Sequence, residues 1–509
     1  MITSSEFNLL ELQNGSDIRG IAIATKNNEL SLTDDRIEKI SYGLLVWLKE
    51  MKKFDYQKNT TRVAIGYDSR LSADRIQNII ISTLTHLGVE VINVGLATTP
   101  AMFMSTQYKE FNCDAAIMIT ASHLPFEYNG LKFFTKEGGA ESKDIEFILE
   151  NADVKKITCS KVKGEVKKAN LLKIYAADLI DKIKKGINND ENFDKPLIGR
   201  HIIVDAGNGA GGFFATEVLK KLGADISGSQ FLDPDGTFPN HIPNPDNKVA
   251  MTSLQKAVLT HQADLGIIFD TDVDRSALVD NEGVTLNRNN LIAVISAIVI
   301  DENPGTTIVT NSATSEHLRT FIEELGGYQN RYLTGYRNVI NQAIKLNTEG
   351  IQTSLAIETS GHAALKENYF LDDGAYLVAK ILIADARLRK ENKKLGSLIE
   401  TLKQPIETDE VRFRILKEPI QENGLDTMDK LRLFVKEVPG LTIEHNNLEG
   451  VRVNTSEDYG SGWFLFRMSL HEPLLVLTFE SDEAGKIKKL RQDLKEFFYA
   501  QECLDSSDL

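Results

Sequence analysis

The sequence predicts an α/β protein: three similar α/β domains with mixed sheets around a central cleft, followed by a C-terminal α+β domain. Three observations predict it. Residues 62–95, 201–231 and 306–335 share one plan, a strand, a turn, an amphipathic helix closed by glycine, and a second strand. Each of these units is followed by a helical segment and an apolar strand that ends in a polar cluster: "AAIMITASH", "LGIIFDTDVDR" and "SLAIETSGH". From Thr408 onward the pattern changes to short alternating strands with two helices.

The helices of the three repeats end at Gly88, Gly223 and Gly326-Gly327, where a left-handed C-terminal residue is needed. Strands alternating with helices imply parallel or mixed sheets covered on both faces. The later segments "VRFRI", "LTIEH", "GVRVN", "GWFLFRMSL" and "PLLVLTFES" read as a mainly antiparallel sheet, joined by helices at "TMDKLRLFVKEV" and "AGKIKKLRQDLKEFFYA". The boundaries expected on this basis are 1–165, 166–302, 303–408 and 409–509.

Composition narrows the function. With 58 basic and 73 acidic residues among 509, the net charge of −15 argues against nucleic acid and against an anionic membrane surface as partners. An anionic substrate would need its positive charges gathered in one place. Cys113, Cys159 and Cys503 are widely spaced and odd in number, which fits a reducing compartment and no disulfide framework. The N-terminus lacks a basic region followed by an apolar core, so no secretory signal is expected. The longest apolar run, Leu291 to Ile300, is far short of the ~20 residues of a membrane helix. A cytoplasmic protein is expected.

The chemistry gathers at the strand ends. In "DAAIMITASHLPFEYNGLKFF" an apolar strand stops at Ser122-His123, and Lys132 follows a turn marked by Pro125, Asn129 and Gly130. Open α/β sheets keep their ligands at such strand ends. Ser122 suits a nucleophile or phosphate carrier, and His123 and Lys132 suit charge or proton transfer; a capping serine beside a surface histidine is the alternative. "FDTDVDR" sets Asp270, Asp272 and Asp274 two residues apart, with Arg275 next. Carboxylates this close repel unless a cation lies between them, and hard oxygen ligands suit magnesium. A solvated acidic turn is the alternative; the ligand series of an EF-hand is absent. "IETSGH" offers Glu358 and Ser360 to hydroxyl-rich ligands, with His362 following, or else starts a helix. "NGSDIRG" ends in Arg19-Gly20, and "FPNHIPNP" reads as a rigid connector. In "RMSLHEP", Arg467, Ser469 and His471 alternate around a strand end, placed either to face one anion or to face solvent from an edge strand.

Taken together and in order, these motifs resemble the α-D-phosphohexomutase family of phosphomannomutases and phosphoglucomutases, over essentially the whole chain. The resemblance implies four domains around a deep cleft and a mutase that interconverts hexose 1- and 6-phosphates of mannose or glucose. It implies a phosphoserine at Ser122, Mg2+ held by Asp270, Asp272, Asp274 and a phosphoserine oxygen, and hexose 1,6-bisphosphate as intermediate and primer. Arg19 and Arg275 would support the transferring phosphate, with Lys132, His362 and His123 as acid–base candidates. Glu358 and Ser360 would bind sugar hydroxyls, and Arg467 and Ser469 the phosphate that is not reacting. The chain departs from the family pattern in two loops. Leu470 and His471 stand where the phosphate loop has glycine and threonine, and "TGYRNVI" puts Tyr336 and Arg337 in the third-domain loop. His471 is expected to take over the threonine's contact. Phosphoglucosamine mutase, or a non-catalytic sugar-phosphate-binding relative, is the alternative activity.

Overall fold

The computed structural model describes residues 7–54, 61–153, 155, 162–469 and 472–509. The chain forms two compact units, Met1–Leu291 with Ser360–Ser397, and Ile292–Thr359 with Leu398–Leu509.

The first unit holds two mixed sheets. The larger runs in the order 13–14, 17–21, 128–135, 115–119, 62–67, 90–96, 166–168. Strand 62–67 is parallel to both 90–96 and 115–119, whereas 128–135 runs antiparallel to 115–119 and to 17–21. The repeat unit is as the sequence predicts: helix 73–86 ends just before Gly88, whose φ is +87°. Ile76, Ile80 and Leu84 of that helix, with Trp47 and Ile40 of helix 34–50 and Ile145 and Ile148 of helix 142–150, form one buried core against Val63, Ile65 and Ile117 of the sheet. Thr33 caps helix 34–50 by accepting from Arg36 N–H.

The smaller sheet has the order 285–286, 276–280, 265–269, 202–205. Here one expectation is corrected. Residues 214–219 wind as a π-helix, and the strand expected after Gly223 does not form; only the isolated bridges His201–Asp225 and Asp205–Gln230 remain. The cause is local. Gly228 turns the chain at φ +81°, and the Ser229 hydroxyl, not a backbone carbonyl, accepts from Val204 N–H, so no ladder can propagate. A hairpin of 363–365 with 371–372 and helix 374–390, capped by Asp373, complete this unit.

In the second unit, strands 328–331, 307–310 and 353–357 are parallel. The C-terminal sheet is wholly antiparallel in the order 407–414, 474–481, 462–468, 451–455, 441–443, with helices 420–436 and 486–499. The five strands and two helices expected here are present, although the first helix begins seven residues and the first strand four residues before the segments the sequence suggests. Arg452 ties this domain to the third α/β domain. Fully buried over the Trp463 ring, it donates to the Ser312 and Thr314 carbonyls at 3.0 Å and pairs with Glu444 at 3.0 Å.

Among the described residues no helix is long and apolar enough to cross a membrane. Cys113 is buried and Cys503 half-buried, both as free thiols; Cys159 lies outside the described residues.

Candidate active site

Ser122 follows strand 115–119, and its backbone takes φ +50°, a left-handed conformation costly for a residue with a Cβ. Its N–H donates to Thr120 Oγ1 at 2.8 Å. Its hydroxyl is thereby aimed at a charged cluster. Ser122 Oγ donates to Asp270 Oδ2 at 3.0 Å, accepts from Arg275 Nη2 at 2.9 Å and lies 3.3 Å from His123 Nδ1.

Asp270, Asp272 and Asp274 occupy the turn between strand 265–269 and strand 276–280. Val273 reverses the chain at φ +66°, an outlier for a β-branched residue, and so marks a turn held by its surroundings. All three carboxylates are buried, and one oxygen from each lies within 4.8 Å of the others. The loop is braced from below by Gly209: a Cβ there would sit 2.6 Å from the Thr271 carbonyl oxygen. Thr99, through its N–H and hydroxyl, donates to the Asp272 carbonyl and to Asp272 Oδ2.

Cations surround the carboxylates. Lys132 Nζ donates to Asp274 Oδ2 at 2.7 Å and lies 3.7 Å from Asp272 and 3.9 Å from Asp17. Arg275 donates to Asp270 through both Nε and Nη2, and to His123 Nδ1 at 2.5 Å. Arg19 donates to the Thr120 carbonyl and to Asp17 Oδ2. It runs antiparallel opposite Gly130, where a Cβ would come within 2.8 Å of the arginine's own Cδ. His362 Nδ1 donates to Asp372 at 2.5 Å and lies 3.8 Å from Asp274 Oδ1.

The electrostatics follow. Burial, then the neighbouring Asp274 and Asp272, push the Asp270 carboxyl well above its usual range. Burial acts on Asp274 in the same direction, but Lys132, His362 and Arg275 outweigh it and hold the group below that range. Burial likewise opposes the imidazolium of His362, yet Asp372 and Asp274 prevail and raise it to about 9. His123 is the opposite case: burial, then Arg275, Arg19 and His362, drive its pKa well below the ordinary value, leaving a neutral ring.

The carboxylate turn fits a divalent cation. Asp272 Oδ1 and Asp274 Oδ1 are buried without a hydrogen-bond partner, which is costly unless a cation takes them, and the donors are all hard oxygens.

The residues singled out in the sequence thus divide. Ser122, His123, Lys132, Arg19, Arg275, His362 and the three aspartates come together in the first unit. Ser360 also belongs to this unit, and its buried Oγ has no hydrogen-bond partner among the described residues. In the second unit Glu358 directly follows strand 353–357 and accepts from Gly335 N–H at 2.6 Å; Tyr336 and Arg337 begin helix 336–348, immediately after Gly335. Arg467 lies on strand 462–468 and Ser469 just after it, where its N–H donates to the Leu474 carbonyl at 2.8 Å. Leu470 and His471 lie outside the described residues. Asp17, Thr99 and Asp372 also contact this cluster; Asp17 lies inside "NGSDIRG" without being singled out there. Only the doubled carboxylate of "LDDGAY" and the threonine pair of "ATTP" hinted at the last two.

A serine hydroxyl between a carboxylate of an acidic triad that could hold a metal and an arginine, ringed by lysine and histidine, has the parts of a phosphoryl-transfer site. Comparison with known proteins agrees. Three family models match in order: phosphoglucomutase/phosphomannomutase alpha/beta/alpha domain I over residues 11–157, domain II over 177–283 and domain III over 287–405. The chain belongs to the phosphoglucomutase/phosphomannomutase family. It is 30% identical to a phosphoglucomutase of Neisseria meningitidis over 94% of this chain and 95% of that protein. It is 28% identical to a phosphomannomutase/phosphoglucomutase of Pseudomonas syringae over 93% and 92%. A crystal structure of a family protein from Burkholderia thailandensis has the same fold, with a TM-score of 0.77 at 24% identity over 96% of this chain and 97% of that one.

Proposed function

We propose that this chain is a hexose-phosphate mutase, an intramolecular phosphotransferase that interconverts hexose 1- and 6-phosphates of glucose, mannose or both. The observation that carries the reading is Ser122 Oγ, within 3.0 Å of both Asp270 and Arg275 on a backbone held out of its ordinary conformation. Mg2+ held by Asp270, Asp272 and Asp274, with an oxygen of phosphorylated Ser122, would supply charge neutralisation at the phosphoryl group.

The chain's own residues do the rest. A free hydroxyl of the bound hexose phosphate attacks the phosphorus on Ser122. Its proton goes to a base, the bond from phosphorus to Oγ breaks, and Oγ recovers a proton as the 1,6-bisphosphate forms. Arg275, already donating to Oγ, stabilises the leaving oxygen, and Arg19 supports the phosphate. Lys132 and His362, with His123, are the candidates to carry the proton; His362, raised to about 9, suits the acid, whereas the surroundings of His123 disfavour its protonated form. After the bisphosphate turns over, its other phosphate returns to Ser122. Glu358 and Ser360 would then hold sugar hydroxyls, and Tyr336, Arg337, Arg467, Ser469 and His471 the phosphate that is not reacting. Hexose 1,6-bisphosphate would prime the enzyme, and the cytoplasm, where hexose phosphates are made, is the proposed setting.

The test is turnover by purified protein of glucose, mannose and glucosamine phosphates, with Mg2+ and a trace of hexose 1,6-bisphosphate. Interconversion of the glucose or mannose pair supports the reading. Turnover of glucosamine phosphate alone would move the activity to that sugar, and binding without turnover would reduce the protein to a sugar-phosphate binder.

A further inference from the structure

Arg70 is buried beside the site, and the reaction proposed above assigns it no part. It follows strand 62–67 in "GYDSR", which the sequence offers only as a turn. Its guanidinium reaches four carbonyls between Ser122 and Tyr128, the last at the start of strand 128–135. Nη2 donates to Ser122 and Leu124, each at 2.6 Å, and Nη1 to Pro125 and Tyr128, each at 2.8 Å. Ser122 and Leu124 lie between strands 115–119 and 128–135, outside either ladder, so their carbonyls depend on this side chain, whereas Pro125 also accepts from Tyr128 N–H at 3.0 Å and Tyr128 opens strand 128–135. Asp68, 3.5 Å from Arg70 Nε, accepts from Thr120 Oγ1 at 2.6 Å, and that same Oγ1 accepts Ser122 N–H.

We infer that Asp68 and Arg70 are positioning residues that lock the Ser122 peptide into its left-handed conformation and so set the direction of Oγ. The grip comes from both sides, the N–H through Thr120 and the C=O through Arg70. Left-handed backbone at a serine persists only when its surroundings over-determine it, and this pair of contacts does so. The clamp is backed by the second α/β domain. Gly236 packs so close to the Arg70 backbone that a Cβ would lie 2.5 Å from the Ser69 carbonyl oxygen, and Arg70 lies over the Phe238 ring at 5.3 Å. Lysine cannot replace the arginine, because one ammonium point cannot serve four carbonyls spread along a loop. The inference rests on Ser122 as the phosphoryl carrier, but its structural half does not depend on turnover.

The experiment compares wild type, Arg70→Lys and Thr120→Val, the last removing the acceptor of Ser122 N–H. For Arg70→Lys, kcat should fall on the order of 100-fold, while KM for hexose 6-phosphate stays within about twofold. Thr120→Val should show the same split with a smaller loss, about tenfold. Arg70→Ala should regain activity with added methylguanidinium. In hydrogen exchange, amides of residues 121–130 should exchange faster in each variant while strand 62–67 stays protected. A variant pair with wild-type kcat, a KM that rises in step with the loss of kcat, or unchanged loop exchange would overturn the inference. If wild type itself proves inactive, the mutase reading falls, and loop exchange alone then decides whether Arg70 and Thr120 hold the loop. Should Arg70→Lys fail to fold, Thr120→Val decides between the same outcomes through the same kinetic and exchange readouts.

Discussion

Gly209→Ala should damage the proposed metal site from behind without removing any of its carboxylates. The new Cβ would lie 2.6 Å from the Thr271 carbonyl oxygen and 2.7 Å from its Cα. Thr271 sits between Asp270 and Asp272, and its carbonyl accepts from Ala210 N–H at 2.8 Å. Moving the contact from 2.6 Å to the 3.4 Å at which it becomes ordinary shifts this backbone by about 0.8 Å. Mg2+ demands near-ideal octahedral geometry, so a shift of that size in two neighbouring ligands is not absorbed. We expect Mg2+ affinity and kcat to fall about 10- to 100-fold, as when a metal's supporting residues are disturbed. The stability cost should be about 1–3 kcal/mol for overpacking. Gly199→Ala is the matched control. Its Cβ meets nothing within 4 Å, but φ is +78°, so alanine should cost about 1–2 kcal/mol of stability with no change in metal dependence. The assay is mutase turnover and Mg2+ binding by calorimetry, with thermal melts beside them. Wild-type metal affinity and kcat in a folded Gly209→Ala would refute the claim that this glycine sets the carboxylate turn.

Three further outcomes are expected. EDTA should abolish turnover, and Mg2+ should restore it better than Ca2+, whose longer and looser coordination misplaces the phosphoryl oxygens; full activity in metal-free buffer would count against the site. The buried His241 pairs with Asp205 at 2.9 Å, and its pKa lies above the usual 6.5: burial lowers it, but the hydrogen bond and charge of Asp205 and the Ile242 carbonyl more than compensate. That stabilisation is complete below the unfolded pKa and lost as pH rises through the folded one, so the melting-temperature gap between wild type and His241→Gln should narrow as pH rises above about 6.5. A gap that is flat or widens would contradict it. Arg467→Ala should raise KM for hexose phosphate about tenfold or more, through a lost charged contact, with metal affinity unchanged; an unchanged KM would remove Arg467 from the phosphate grip.

Much of the site was legible because its residues sit at strand ends. Ser122, Asp270 and Glu358 each follow an apolar strand, and the period of hydrophobicity marks where that strand stops. What joins them was not legible. Thr99 meets Asp272 across 173 residues and Arg70 meets Ser122 across 52, and neither carries a local signal beyond a turn. Asp372 was visible only as one of two adjacent carboxylates, although it fixes the charge of His362. The strand expected after Gly223 failed for a related reason. Nothing in "ADISGSQF" says that the Ser229 hydroxyl will take the Val204 N–H that a ladder needs. Nor does any local pattern show that Arg452 commits its guanidinium to the carbonyls of Ser312 and Thr314 and to Glu444.

The most direct measurement is the fate of phosphate on Ser122. Purified protein is incubated with glucose 1,6-bisphosphate and Mg2+, freed of ligand, and digested for mass spectrometry, with one portion first mixed with hexose 6-phosphate. Phosphate is expected on the peptide containing Ser122, with its transfer to the added sugar, and neither in Ser122→Ala. Turnover that proceeds with no phosphate on Ser122, or with wild-type rate in Ser122→Ala, would contradict it.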